Sequence, residues 1–289
     1  MPISERGYRH WPGTLAERRR PWAPITRLGV KLAFKRKYFK FVLGVSLLPA
    51  LVFSAGIYIS ERIEDFKFMI RGRNKLLTVD PAYFKAYFTG DFLLFMMVMI
   101  MVLAGAGLIA DDLKHNSLQL YFSRPLRKRD YLLGKMGVVS FFLLLQTVVP
   151  GLLFFLLKLI FSGSFKFFSQ YPGIPAAVVL DSIVLTGFFG LYTLFLSSLG
   201  RNRRFASILV FLVYIFSDIF SGVFNGIFRL PAFCLISIKA NLQQVGAALF
   251  GVPGPYDVPW IYSAFVLAGL SAAAVLVLLR KVKGVEVIR

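Results

Sequence analysis

The chain has 289 residues, 57% of them hydrophobic and 31 of them Phe, with a formal net charge of +20. Soluble domains run at roughly 45–50% apolar, so this composition and a mean hydropathy of +0.69 exclude an ordinary soluble globule and point to a membrane protein. Most Lys and Arg flank apolar stretches, where membrane topology accounts for them, and no nucleic-acid partner is read from the charge. The single cysteine, Cys234, excludes an intrachain disulfide.

In chain order, residues Met1 to Pro24 mix Arg, Pro, Gly and Trp without periodicity, which predicts a loosely ordered cytoplasmic tail. No early apolar core with a small-residue cleavage site marks them as a signal peptide. From Ile25 onward, Ile25, Leu28, Leu32 and Phe39 stand against Arg27, Lys31, Lys35 and Arg36. That pattern predicts an amphipathic helix in the membrane interface, its cations reaching lipid phosphates. Tail and interfacial helix together make one unit, 1–40, and the membrane domain another, 41–289.

Six apolar segments follow, each close to the ~20 residues that cross a ~30 Å hydrocarbon core: Phe41–Ile59, Phe92–Ala110, Met136–Ile160, Ala176–Leu199, Phe205–Phe228 and Trp260–Leu279. With the N-terminus inside, Lys and Arg number eleven before Phe41, six in Asp111–Lys135, three in Arg201–Arg204 and four after Leu279, against ten outside. The positive-inside rule then puts both termini in the cytoplasm of a multi-pass protein. The outer loop Ser60–Gly90 runs against the count with six cations to four acids. The last outer stretch, Leu230–Pro259, is apolar and broken by four prolines, and predicts short helices dipping into the outer leaflet around Ala232–Ile238 and Asn241–Phe250.

Between the second and third segments lies Gly105–Lys135, GAGLIADDLKHNSLQLYFSRPLRKRDYLLGK. It is too polar for hydrocarbon, yet Leu113, Leu118, Leu120, Tyr121 and Phe122 give a short helix one apolar side. It reads as a cytoplasmic docking element. Asp111 and Asp112 suit the positive end of a helix dipole, Pro125 ends the helix by restricting Arg124, and Arg124, Arg127, Lys128 and Arg129 face headgroups or an acidic partner. The ordered set of small residues, Ile-Ala-Asp-Asp-Leu, Ser-Leu-x-Leu, Ser-Arg-Pro, a basic cluster and Tyr-Leu-Leu-Gly-Lys resembles the first cytoplasmic loop of the permeases of type-2 ABC exporters. The resemblance implies an all-α membrane protein of six spans, preceded by an interfacial elbow helix, with re-entrant helices before the last span. It also implies that the loop contacts a separate ATPase subunit, and that a second permease copy or paralogue completes the pathway.

Little here suggests an enzyme. The two histidines, His10 and His115, lie outside the apolar segments, and neither H-E-x-x-H nor the P-loop pattern G-x-x-x-x-G-K-[ST] occurs. No cofactor or metal is expected on the chain itself; ATP and Mg²⁺ belong to the implied ATPase partner. Asp181 and Asp218 are the carboxylates within the apolar segments, where charge is costly and functional by default. Asp181 is placed near the outer end of the fourth segment, in reach of water. Asp218 lies near the middle of the fifth, on one face with Ser221 and Asn225. It reads either as part of a transport pathway or relay or, preferred, as a carboxylate held by Ser, Asn or Tyr between helices. Ala264, Ala268 and Ala272 read as a close-packing stripe, preferred within the bundle with a dimer face as the alternative, and Phe154, Phe155, Phe165, Phe167 and Phe168 as lipid-facing or interfacial aromatics. The function expected is that of a membrane-spanning exporter subunit of undetermined substrate, with an ion-coupled secondary transporter or a non-transporting membrane assembly protein as alternatives.

Overall fold

The computed structural model describes residues 21–62, 78–122, 126–163 and 165–282. The tail before residue 21, the outer-loop cations Lys67, Arg71, Arg73 and Lys75, and Arg124 and Pro125 lie outside the described residues. All regular elements among the described residues are helices: α1 (Ala23–Phe34), α2 (Lys37–Ser46), α3 (Leu48–Glu61), α4 (Pro81–Phe88), α5 (Asp91–Ile100), a π-helical turn (Met101–Gly105), α6 (Gly107–Lys114), α7 (Ser117–Phe122), α8 (Lys128–Gln146), α9 (Val148–Ser162), α10 (Lys166–Gln170), α11 (Ile174–Leu199), α12 (Arg203–Phe228), a 3-10 helix (Pro231–Ile236), α13 (Ile238–Leu249) and α14 (Trp260–Lys281). Six stretches are long and apolar enough to cross a membrane: Lys37–Glu61, Pro81–Lys114, Lys128–Ser162, Ile174–Leu199, Arg203–Phe228 and Trp260–Lys281. The protein is an all-α, multi-pass membrane protein.

Three of these stretches are broken, and the breaks have local causes. Pro49 follows the junction of α2 and α3, and Pro150 follows that of α8 and α9. Pro150 has no N–H to give the Gln146 carbonyl, and the Tyr87 hydroxyl donates to that oxygen instead at 2.7 Å. The second stretch is interrupted by the π turn, where the Ala106 N–H donates to the Met101 carbonyl five residues back at 2.8 Å.

The fourth span, α11, is the axis of the core: its buried side chains include Val178, Leu185, Phe189 and Leu194. Phe88, Phe154 and Phe189 join Leu94 and Met97 in the main apolar cluster. This corrects the reading of the Phe group: Phe154, Phe155 and Phe167 are buried, and only Phe165 and Phe168 are exposed. Phe154 stands edge-on to Tyr87 at 4.8 Å, which places the pair inside the bundle. The alanine stripe is corrected as well. In α14 the buried face is Ser263, Leu267, Ala274 and Leu278, while Ala268 and Ala272 face outward. That face repeats at four and seven residues, one side of a helix, and the helices α14 packs against, not side-chain size, set which side it is.

The interfacial helix α1 lies across the third span. Thr26 Oγ1 donates to the Gly134 carbonyl at 2.9 Å, and the glycines at 29 and 134 admit Val138 and Ile25. Leu28 and Leu32 stay exposed. The expected outer helices are present as the 3-10 helix and α13, and α13 is inserted among α11, α12 and α14 with Ala240, Leu242, Val245 and Ala247 buried.

Candidate functional site

Two polar assemblies stand out against this apolar frame, one at the docking-loop end of the second span and one at its other end. At the first, the π turn frees carbonyl groups that the α pattern would have used. The Leu103 carbonyl accepts from Arg36 Nη1 at 2.7 Å and from Arg203 Nη2 at 2.7 Å. The Val102 carbonyl accepts from Ser207 Oγ at 3.2 Å. Ser197, on α11, replaces part of the helical ladder: its Oγ accepts the N–H groups of Ile109 and Ala110 at 3.0 Å each and donates to the Ala106 carbonyl at 2.6 Å. A buried backbone group needs a partner, and one hydroxyl here serves three. The second span is thus interrupted and stitched to the first, fourth and fifth at one level. Burial and the charge of Arg203 hold the Arg36 guanidinium below its ordinary pKa, against the pull of Asp111.

The docking loop continues from this break. Asp111 and Asp112 lie in the second half of α6 rather than at the start of the short helix, because α6 carries the second span on to Lys114. The dipole reading of the two acids is therefore corrected: the N-terminal charge of α7 falls after them. Asp112 is engaged within the chain, by Lys135 at 2.6 Å and by the Tyr131 hydroxyl at 2.6 Å. Lys135 also lies 5.6 Å from the ring centroid of Tyr121 and 5.4 Å from that of Tyr131. Burial, with the charge of Asp112, pushes the Tyr121 phenol above its ordinary pKa.

Four of the apolar residues, Leu113, Leu118, Leu120 and Tyr121, do not form one outward ridge, and the side chain of Phe122 lies outside the described ones. Leu118 is buried against Tyr131 and Val282, with Leu113 and Tyr121 packed at the edge of that cluster. Leu120 alone of the four faces out, 75% exposed. Residues 118 and 121 are three apart on one helix face, whereas 120 is two from 118 and turns away from it. Arg129 is exposed in the first turn of α8.

The second assembly centres on Lys239, in the first turn of α13. Its Nζ lies 2.9 Å from Asp218 Oδ2 and 3.5 Å from Asp91 Oδ1. Ser237 Oγ donates to Asp218 Oδ1 at 2.9 Å while accepting the Ala240 N–H at 3.1 Å, so one side chain caps α13 and ties it to α12. Gln243 donates to Asp91 Oδ1 at 2.9 Å and to the Thr89 carbonyl at 2.8 Å. Burial alone would lower the Lys239 pKa, but the hydrogen bond and charge of Asp218, together with Asp91, hold it above the ordinary lysine value. Asn225 does not join this group; it lies exposed farther along α12.

Asp181 does not reach water. It is 1% exposed, and neither carboxylate oxygen has a hydrogen-bond partner in the protein. A methyl group at Gly246 of α13 would meet its Oδ1 at 3.2 Å, so the packing of α13 against α11 is what removes Asp181 from solvent. Three residues at these two ends were missed by sequence reading. Ser197 carries no signal of its own, and Arg203 reads as a topology flank. Lys239 did carry one: it is the only cation in the apolar stretch Leu230–Pro259, which calls for a carboxylate partner.

A six-span helical bundle, an amphipathic helix at its start and a helical loop after the second span make a polytopic membrane subunit. The profile of the family described as ABC-2 family transporter protein matches residues 33–240, and the chain belongs to that family. It is accordingly a membrane permease subunit of an ABC transporter, not itself catalytic. A comparison with curated proteins finds no match.

Proposed function

We propose that this permease subunit works in an ATP-driven exporter of the cell membrane, with both termini and the docking loop in the cytoplasm. A separate ATPase subunit, holding ATP and Mg²⁺, docks on residues of Asp111–Lys135, and a second permease copy or paralogue completes the pathway. The observation that carries this reading is the continuity of the second span through the π turn into α6, with α7 following after the turn at His115 and Asn116. A push on the loop is delivered straight into a span that is already hinged at Met101–Gly105, which is rigid-body coupling about a local break. Leu120 and Arg129 are the exposed contacts offered to the partner, while Asp112, Leu113, Leu118 and Tyr121 hold the loop to α8 and Asp111 lines its root.

The loop's apolar content and its helical hinge favour mechanical coupling over a loop that only fixes topology. The ion pair of Asp218 with Lys239 weighs against an ion-coupled carrier that uses Asp218 as its free carboxylate, and it supports a latch between α12 and α13. The test is reconstitution. The chain is purified with whatever P-loop ATPase accompanies it, the pair is placed in proteoliposomes, and ATP hydrolysis is measured with and without the permease. A stable complex whose turnover depends on the permease supports the reading. A chain that recovers no ATPase, or that transports in response to a proton or sodium gradient alone, overturns it.

A further inference from the structure

A cavity of about 160 Å³ lies between the interfacial helix and the root of the docking loop, lined by Leu28, Leu32, Leu108 and Val138 on its apolar side and by Arg36 and Asp111 on its polar side. Asp112 and Lys135 also line it and pair with each other, which leaves Arg36 and Asp111. Arg36 spends one N–H on the Leu103 carbonyl, which it shares with Arg203, out of the five donors a guanidinium carries. Among the described residues neither guanidinium forms an ion pair with a carboxylate. Asp111 stands on the same wall, its Oδ2 over Gly107 beside the methylene carbons of Arg203, and it too forms no ion pair. The neighbouring Asp112 is taken up by Lys135 and Tyr131. At the mouth, Leu28 and Leu32 are 53% and 47% exposed at the point where the chain enters its first span.

One pocket therefore presents an unspent cation and an unspent anion that do not satisfy each other, next to an exposed apolar pair. We propose that this cavity binds the headgroup of an aminophospholipid, its phosphate on Arg36, its ammonium on Asp111, and its acyl chains outside against Leu28 and Leu32. The guanidinium fork suits phosphate oxygens, and a primary ammonium donates N–H groups to a carboxylate, as a quaternary choline does not. A soluble anion would gain the cation but would leave both Asp111 and the apolar mouth unused. Because the phosphate and the Leu103 carbonyl draw on the same guanidinium, bound lipid would also bear on the break in the second span.

The test uses the full chain in detergent micelles containing phosphatidylcholine, with phosphatidylethanolamine or phosphatidylglycerol added, and native mass spectrometry to count retained lipid. One phosphatidylethanolamine per chain, retained about tenfold over either other lipid, is expected. Asp111→Asn should remove the preference for phosphatidylethanolamine while leaving phospholipid binding. Arg36→Gln should weaken retention of all three, and Arg36→Lys, which keeps the charge, should restore part of it. Arg36 also holds the Leu103 carbonyl, and Asp111 acts on the Arg36 charge, so the variants of both are read beside their melting curves; Asp111→Asn removes no described side-chain hydrogen bond or ion pair. Retention of phosphatidylglycerol equal to phosphatidylethanolamine, an unchanged preference in Asp111→Asn, or displacement by millimolar inorganic phosphate would overturn the assignment. None of these readouts needs an ATPase, so failure here is separate from failure of the exporter reading.

Discussion

Leu118 and Leu120 are two residues apart on one six-residue helix and should behave in opposite ways when each is replaced by Ser. Leu118 is 9% exposed, within the small cluster of Tyr131 and Val282. Truncating a buried Leu costs about 2–5 kcal/mol, and the edge position of this cluster argues for the lower half of that range. Leu120 is 75% exposed, so its replacement should leave the stability of the isolated chain within about 0.5 kcal/mol. Full burial of a Leu side chain is worth about 1.5–3 kcal/mol, and about three-quarters of that remains for Leu120 to gain in a partner's groove. The loss on replacement is then about 1–2 kcal/mol, roughly a 5–30-fold weaker complex. The assay has two arms: thermal unfolding of each variant in detergent, and the concentration dependence of ATPase capture by each. Leu118→Ser should melt early and Leu120→Ser should melt like the parent while binding the ATPase more weakly. A Leu120→Ser chain that captures the ATPase as the parent does would remove the docking contact from this helix, and a Leu118→Ser chain of unchanged stability would refute the inward packing.

Ser197→Ala removes the single hydroxyl that serves the Ala106 carbonyl and the Ile109 and Ala110 N–H groups. Leaving buried backbone groups unpaired costs about 1–3 kcal/mol each before relaxation, so an earlier melt and faster amide exchange confined to residues 101–110 are expected, and unchanged exchange there would refute the stitching role. Lys239→Met should remove the ion pair between α13 and α12, leaving the Ser237 bond to Asp218, and lower stability by about 0.2–1 kcal/mol for a partly exposed pair. Because the folded pKa of Lys239 is raised, the contribution is complete below the unfolded value near 10.4 and is lost as pH rises through the folded one. The gap in melting temperature between parent and variant should therefore hold at pH 7–9 and close only in strong alkali; a gap that closes near pH 7 would point to another group. Asp218→Asn keeps an acceptor for Ser237 but loses the ion pair, and should be tolerated in transport assays if Asp218 is a latch and inactive if it is a relay. Asp181→Leu replaces a buried carboxylate without hydrogen-bond partners by an apolar side chain of similar shape and should raise the melting temperature by the equivalent of about 1–3 kcal/mol; a lower melting temperature would mean that the acid is bound by something the isolated chain does not supply.

Much of this architecture was written into the order of residues. Hydrocarbon thickness and the cost of unpaired backbone leave an apolar run of some twenty residues only one regular form, so six spans, the interfacial helix and the short helices between Leu230 and Pro259 could be read one stretch at a time. The docking loop was legible for the same reason, as a patterned polar segment between two such runs. What the sequence could not assign was direction and partnership. Phe154 in α9 and Phe165 just before α10 are the same residue type, yet one is buried and the other 80% exposed, because facing is set by which helices pack around the position. Leu118 and Leu120 divide in the same way. Asp218 reads identically whether it meets water, Ser237 or Lys239, and Asp181 was sealed from solvent only by the placement of α13. Ser197, Arg36 and Arg203 are separated by more than a hundred and sixty positions at their extremes, and only the tertiary packing of four spans at one level brings them to the break in the second. Periodicity is a local property of a chain; the pairing of buried polar groups is a property of the folded whole.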